Sequence, residues 1–302
     1  MLFAAFCVKV SAQPSLDTLQ RTLKDEVEWL CNPIHEGRAF GSPSRFFSAA
    51  YTASHFHHAG LKPFNGNYFH GFYCQGRVAH NVMAYLPGTR SDRYVIVGTY
   101  SDGLGKLAGR IYPGADSNGS GMAALLSLSD SLKPGYLSVI YVFFDGRNAS
   151  MAGSNEMWRQ ISSGELKTED GRTVLPSQIE MMVNIDIIGS TLAPVHPRWP
   201  EYVIAMGPQQ QYYNILVSNS RHKLGLRIEP DYYGSKDFTR LFYRKIGDQR
   251  VFLEHGIPCV VWTSGITDNT NKVEDRPSTL DYPIFAARVE LIRRWLEEWV
   301  IR

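Results

Sequence analysis

The 302-residue chain has only four cysteines, and no CxxC pair or Cys/His spacing among them suits a structural zinc. It has no stretch of ~20 apolar residues, so nothing in it reads as a membrane-spanning helix. It has no basic run. Its 31 Lys and Arg are interspersed with 29 Asp and Glu for a formal net charge of +2, which argues against nucleic acid or an anionic membrane as the main partner. It has no GxSxG elbow, so a serine hydrolase of the α/β type would lack its nucleophile. GLGKLAG, from Gly103 to Gly109, has the look of a dinucleotide loop, but Arg110-Ile111-Tyr112-Pro113-Gly114 follows. That stretch cannot open the helix whose N-terminus would meet a pyrophosphate. Repeats, low-complexity linkers and composition shifts are missing as well, so residues 13–302 are expected to form one domain.

What is present begins with MLFAAFCVKVSAQ. The apolar stretch from Leu2 to Val8, followed by Val10-Ser11-Ala12 before Gln13, reads as the remnant of a cleaved export signal over residues 1–12, although the basic n-region is missing. An exported, periplasmic or extracellular protein is the expectation. Phe6 before Cys7 does not fit a lipoprotein. Loss of the leader would leave Cys31, Cys74 and Cys259. Three allow at most one disulfide, and Cys31 with Cys74 is the pair to test, since Cys259 in IPCVVW reads as inert core.

Periodicity predicts helices over residues 16–30, 44–59, 118–132, 151–161, 209–222, 238–255 and 283–301. It predicts strands over 78–86, 94–99, 137–144, 179–188, 202–206 and 259–262. His55, His57 and His58 read as a solvated helix face. Strands alternating with helices imply a largely parallel sheet covered on both faces.

The chemistry-bearing residues gather at strand ends in a fixed order. VIVGTYSDG ends at Tyr100-Ser101-Asp102, and PGADSNGSG enters a helix at Asp116-Ser117-Asn118. YVFFDGRN carries Asp145, Arg147 and Asn148, and NIDIIG carries Asp186. GDQRVFLEHGIP carries Asp248, and TDNTNKVEDRPSTLDY carries Asn271 and Asp275. With EGRAFGSPS and HNVMAYLPGT upstream, this order and spacing resemble the di-zinc aminopeptidases, a family that also includes plasma glutamate carboxypeptidase, glutaminyl cyclases and the transferrin receptor ectodomain. The resemblance runs from about residue 15 to the C-terminus. It implies a three-layer α/β/α fold with a mixed, mainly parallel central sheet of about eight strands.

The resemblance also implies two zinc ions activating a bridging water, held by two histidines and three carboxylates, with a glutamate as general base. Carried onto this chain, the first histidine falls on Tyr100 and the bridging aspartate on Ser117. The base falls on Arg147 and its neighbouring ligand on Asn148. The next aspartate is retained as Asp186, and the last histidine falls on Asn271. Tyrosine, serine and asparagine amide are poor neutral ligands, and arginine cannot coordinate while protonated. The single-zinc set of the glutaminyl cyclases would need Ser117, Asn148 and Asn271, and is lost too.

The expectation is therefore a catalytically inactive homologue without a bound cofactor. It would bind a peptide, an amino-group ligand or a protein partner in a cleft lined by Asp102, Asp116 and Arg147 beside the former metal positions. Two alternatives stay open. One is an active metallopeptidase or related hydrolase with displaced ligands, in which Asp102, Asp116, Asp145, Asp186 and Asp248 would suit calcium or magnesium. The other is a structural or assembly role. Arg147 is expected to replace the metal's charge by pairing with Asp186.

Overall fold

The computed structural model describes residues 15–192 and 199–302; the leader expected over 1–12 lies outside the described residues. Helix α1 (Leu16–Leu30) starts where Ser15 Oγ accepts from Thr18 N at 3.2 Å, and it buries the stripe Leu19, Leu23, Val27 and Leu30. Ser42 likewise caps α2 (Pro43–His58), whose Pro43 occupies the first turn. Strands β1 (Lys62–Pro63), β2 (Phe69–Cys74), β3 (Arg77–Leu86) and β4 (Arg90–Tyr100) follow, then the small hairpin β5 (Gly105–Leu107) and β6 (Arg110–Tyr112). Next come α3 (Gly121–Ser131), β7 (Leu137–Phe144), α4 (Ala152–Ser162), β8 (Ile179–Ile185), β9 (Tyr202–Met206), α5 (Gln209–His222) and β10 (Arg227–Glu229). Helices α6 (Lys236–Lys245) and α7 (Gln249–Glu254), strand β11 (Cys259–Thr263) and α8 (Tyr282–Trp295) complete the described elements.

A nine-stranded mixed sheet runs in the order β1-β3-β7-β4-β8-β11-β9-β10, with β2 extending beside β3. Its centre, β7-β4-β8-β11, is parallel, and the joins β3–β7 and β11–β9 are antiparallel. Alternation along the strands feeds two layers. Val95, Val97, Val139 and Val183 pack with α1, α2, α3 and α8. Tyr94, Ile96, Ile140 and Met182 pack with α4 and α7. The result is the expected α/β/α arrangement.

Several expectations change. The helix read over 238–255 is two helices, because Gly247 takes φ +98° and the Gln249 side chain donates to the carbonyls of Phe242, Tyr243 and Ile246. The helix read from 118 begins at Gly121, since Ala115–Ser120 form an irregular turn with a cis Ser117–Asn118 peptide. The regular part of the last helix ends at Trp295. Residues 60–75, where no element was predicted, contain β2, which hairpins into β3 through Gln75 and Gly76, both at positive φ. Cys31 and Cys74 are free thiols, so the possible disulfide is not formed; Cys31 Sγ lies 3.6 Å from the Pro113 carbonyl it donates to. His55 is partly exposed and sits 2.9 Å from Asp130, while His57 and His58 are exposed.

The tip of β7 is held by a tight join to α4. Asn81 Oδ1 accepts from Asp145 N at 3.1 Å, and its Nδ2 donates to Gly153 O at 2.7 Å. A Cβ on Gly153 would stand 2.3 Å from Asn81 Oδ1 and 2.4 Å from Asp145 O, with backbone on one side. Gly153→Ala should therefore lower stability by about 1–3 kcal/mol in urea unfolding. An unchanged midpoint would mean that this join yields easily.

Candidate functional site

The parallel strands β4, β7 and β8 bring their carboxyl ends side by side, with Tyr100 registered against Phe144. Ligand crevices of open α/β sheets form at such ends. One buried amide ties the ends together. Asn118 Nδ2 donates to Thr99 Oγ1 at 2.6 Å and to the Tyr100 carbonyl at 3.1 Å, while its Oδ1 accepts from Gly121 N and Ile187 N. The ends of β4 and β8 thus share one brace with the start of α3.

Arg147 lies inside this end. Its Nη1 donates to Asp186 Oδ2, and its Cζ stands 4.3 Å from the Tyr100 ring centroid. The Asp186 side chain is 0% exposed and that of Arg147 18%. Burial by itself would lower the guanidinium's pKa, but the Asp186 carboxylate and the neighbouring Tyr100 hold it raised. Burial also pushes the Tyr100 hydroxyl well above its ordinary value, and Asp186 adds to the push. Tyr100 is thus a neutral face over a cation, a contact with its own attraction.

The remaining acids turn inward. Asp102 and Asp116, expected along the cleft wall, are buried. Asp102 accepts from Arg147 N at 2.8 Å and from the Asn148 backbone and side-chain nitrogens at 3.3 Å, so it holds the 147–149 turn. Asp116 Oδ1 accepts from Gly189 N at 2.8 Å and Ser120 Oγ at 3.0 Å. Asp275 accepts from Asp116 N, Ser117 N and Ser117 Oγ, the last at 2.5 Å. Asn271 N in turn donates to Ser117 Oγ at 3.4 Å. Asp248 accepts from Ser154 Oγ at 2.7 Å. Burial raises Asp102 and Asp248 to about 6 and Asp116 to about 7; Asp145 adds to the first and Asp275 to the last. Of the positions named from the sequence, Tyr100, Arg147 and Asp186 form one contact group, and Ser117, Asn271 and Asp275 another. Asn148 and Asn271 are exposed, while Tyr100 and Ser117 are buried.

These residues do not fit zinc. A zinc pair needs imidazole, thiolate or carboxylate donors, and Asp186, the one carboxylate left among the five ligand positions, is bonded to a guanidinium. Among the described residues, no three His, Cys, Asp or Glu side chains converge so as to hold a metal ion. The displaced-ligand set fares no better: Asp102, Asp116 and Asp248 are each occupied by donors of the protein, and Asp145 and Asp186 each face an arginine. Sequence reading missed Asn118, taken as the first residue of a helix, and Arg45, which stands 3.8 Å from Asp145. Arg45 gave no signal in a helical pattern. Asn118, within DSNGS, carried the turn signature that could have marked it.

A model of peptidase family M28 matches residues 81–295. Among solved structures, the Legionella pneumophila LapA aminopeptidase superposes with a TM-score of 0.70 at 11% identity, covering 97% of this chain and 77% of that one. The Fimbriiglobus ruber glutaminyl cyclase gives 0.72 at 14%, covering 95% and 97%. BSAP, a zinc aminopeptidase from Bacillus subtilis, gives 0.67 at 11%, covering 95% and 96%. At these identities the likeness concerns the fold. No curated protein matches the chain.

Two measurements check the electrostatics. Arg147→Ala strands the Asp186 carboxylate and should cost about 3–5 kcal/mol, whereas Arg147→Ala with Asp186→Asn should recover most of that loss. Losses that simply add would show the two side chains to be independent. For Asp116, a folded pKa of about 7 lies above the unfolded value of about 3.9, so between those pH values the folded state binds more protons. Stability relative to Asp116→Asn should therefore fall as pH rises from about 4 to 7 and level off above about 8. A difference that rises with pH would contradict the assignment.

Proposed function

The chain belongs to peptidase family M28, and we propose that it is a non-catalytic member that works by binding. The carrying observation is the Arg147–Asp186 pair stacked under Tyr100. A guanidinium occupies the position that the family resemblance assigns to the general base, and it bonds the single carboxylate left among the ligand positions. A base must take a proton at working pH, and an arginine whose pKa is raised further does not do so. Without a base or a metal-activated water, the site has no route to a nucleophile for peptide hydrolysis.

The surroundings favour retention for binding over an eroded site. Gly114 stands at φ +61° with Ser117 O only 2.6 Å from where a Cβ would sit, and Asp275 accepts from the Asp116 and Ser117 amides of the turn it serves. Asn148 and Asn271, in the loops that follow β7 and β11, are exposed, and 18% of the Arg147 side chain stays open. Amide groups and a partly open cation suit the backbone and carboxylate of a peptide or of a protein segment. The apolar residues 2–8 and the small-residue pattern before Gln13 support export. Among the described residues, no helix is long and apolar enough to cross a membrane.

Purified protein should turn over no aminoacyl or peptidyl substrate with zinc, cobalt or manganese added, and should bind less than one equivalent of zinc by metal analysis. Chelator-sensitive turnover that Asp186→Ala abolishes would sink the proposal. Neither Asn148→Glu nor Asn271→His should restore metal. Recovery should need Tyr100→His, Ser117→Asp, Arg147→Glu, Asn148→Glu and Asn271→His together, read by zinc titration calorimetry.

A further inference from the structure

The edge strands of the sheet are finished differently. An edge carries unpaired N–H and C=O groups, and proteins blunt it with short strands, charges or proline. β10 has three residues, among them Arg227 and Glu229. β1 has two, Lys62 and Pro63. β2 has six, FHGFYC, and from Phe64 to Gly76 the chain holds no acid, lysine, arginine or proline. Its histidine, His70, is buried. Beyond β2 no strand follows among the described residues. The Gln75-Gly76 turn, with both residues at positive φ, sets the phase of the ladder. Cys74 and Arg77 exchange the first bonds, so Phe72 and His70 also bond β3. Gly71 and Tyr73 therefore turn their N–H and C=O groups outward. Phe69 N is already taken by Asn67 Oδ1 at 2.9 Å. The side chains here are as open as the backbone. Tyr73 is 75% exposed and its cross-strand neighbour Val78 59%, and the nearest atoms to a Cβ built at Gly71 all belong to β3.

We propose that β2 is the contact through which two copies of this chain pair, edge to edge and antiparallel, about a twofold axis at Phe72. That axis sets Gly71 of one copy opposite Tyr73 of the other. The outward N–H and C=O groups of both residues are then bonded, and Phe69 N keeps its partner. The pairing is self-complementary in shape, because the Tyr73 ring of each copy covers the bare backbone at Gly71 of the other, as aromatic residues do beside strand glycines. It is self-complementary in charge, since the stretch 64–76 brings no lysine, arginine or acid to the seam. Phe46, 50% exposed and stacked on Phe69 at 5.7 Å, continues the apolar face on the α2 side. An extended segment of a foreign protein would need an aromatic residue opposite Gly71 and none of the charges usual at a protein surface. β2 itself meets both conditions.

Sedimentation equilibrium and amide hydrogen exchange on the full chain test it. The protein should pass from monomer to dimer over micromolar concentrations, and the amides of Gly71 and Tyr73 should gain protection as the dimer forms. Tyr73→Lys, at an exposed position, should weaken association at least about tenfold, because two lysines then meet diagonally across the axis. Tyr73→Glu alone should do the same, and an equimolar mixture of the two variants should pair again. Leu175→Lys, at an exposed apolar position elsewhere, should change nothing. A chain that stays monomeric throughout that range, a dimer that leaves 71 and 73 unprotected, association untouched by Tyr73→Lys, or a mixture of the charged variants that stays monomeric would each overturn the proposal. So would a monomer whose 69–74 amides are protected only by an added strand peptide of another sequence, which assigns the edge to a foreign partner.

Discussion

Six aspartates, Asp102, Asp116, Asp145, Asp186, Asp248 and Asp275, are buried in this chain, and each has to be neutralised or hydrogen-bonded where it stands. An unpaired carboxylate in an interior costs several kcal/mol even after relaxation. The strand-end loops are arranged around that constraint. Asp186 meets a guanidinium; Asp102 and Asp275 take backbone N–H groups of neighbouring turns; Asp116 and Asp248 keep only part of their acceptors filled, and burial raises their pKa. Where the family resemblance implies carboxylates gathered around cations, this chain distributes its own donors among them.

The most economical of these arrangements is Arg147. One side chain compensates Asp186, covers the Tyr100 ring, and through its own backbone N–H satisfies Asp102. A lysine could supply the charge but not the planar fork and the stacking face together. The residue at the position that the family resemblance assigns to the general base is therefore also the one that satisfies two of the buried acids, Asp186 and Asp102.

The scaffold under this exchange is independent of it. Asn118 ties the β4 and β8 ends to α3, and Asn81 with Gly153 ties β7 to α4, through amide and backbone contacts that meet the former metal positions only at the Tyr100 main-chain carbonyl. Fold and chemistry rest on different residues, which is how one can be kept while the other is exchanged.

The sequence by itself determined the layer order, the strands at 137–144 and 202–206, the helix at 209–222, and which side chains occupy the strand ends. Periodicity and the order of acids along the chain are local quantities, readable without contacts. It also allowed the pairing of Arg147 with Asp186 to be expected, since an arginine beside a row of acids has few other destinations. Tertiary structure decided the rest. Whether an aspartate faces a cleft or bonds a loop depends on where another segment's N–H groups lie, so Asp102 and Asp116 could not be placed in advance. The break at Gly247 needed the Gln249 side chain reaching back to three carbonyls, and β2 needed β3 beside it to be a strand at all. Arg45 met Asp145 only because α2 packs across a strand end one hundred residues away in sequence, a distance over which no local pattern carries information.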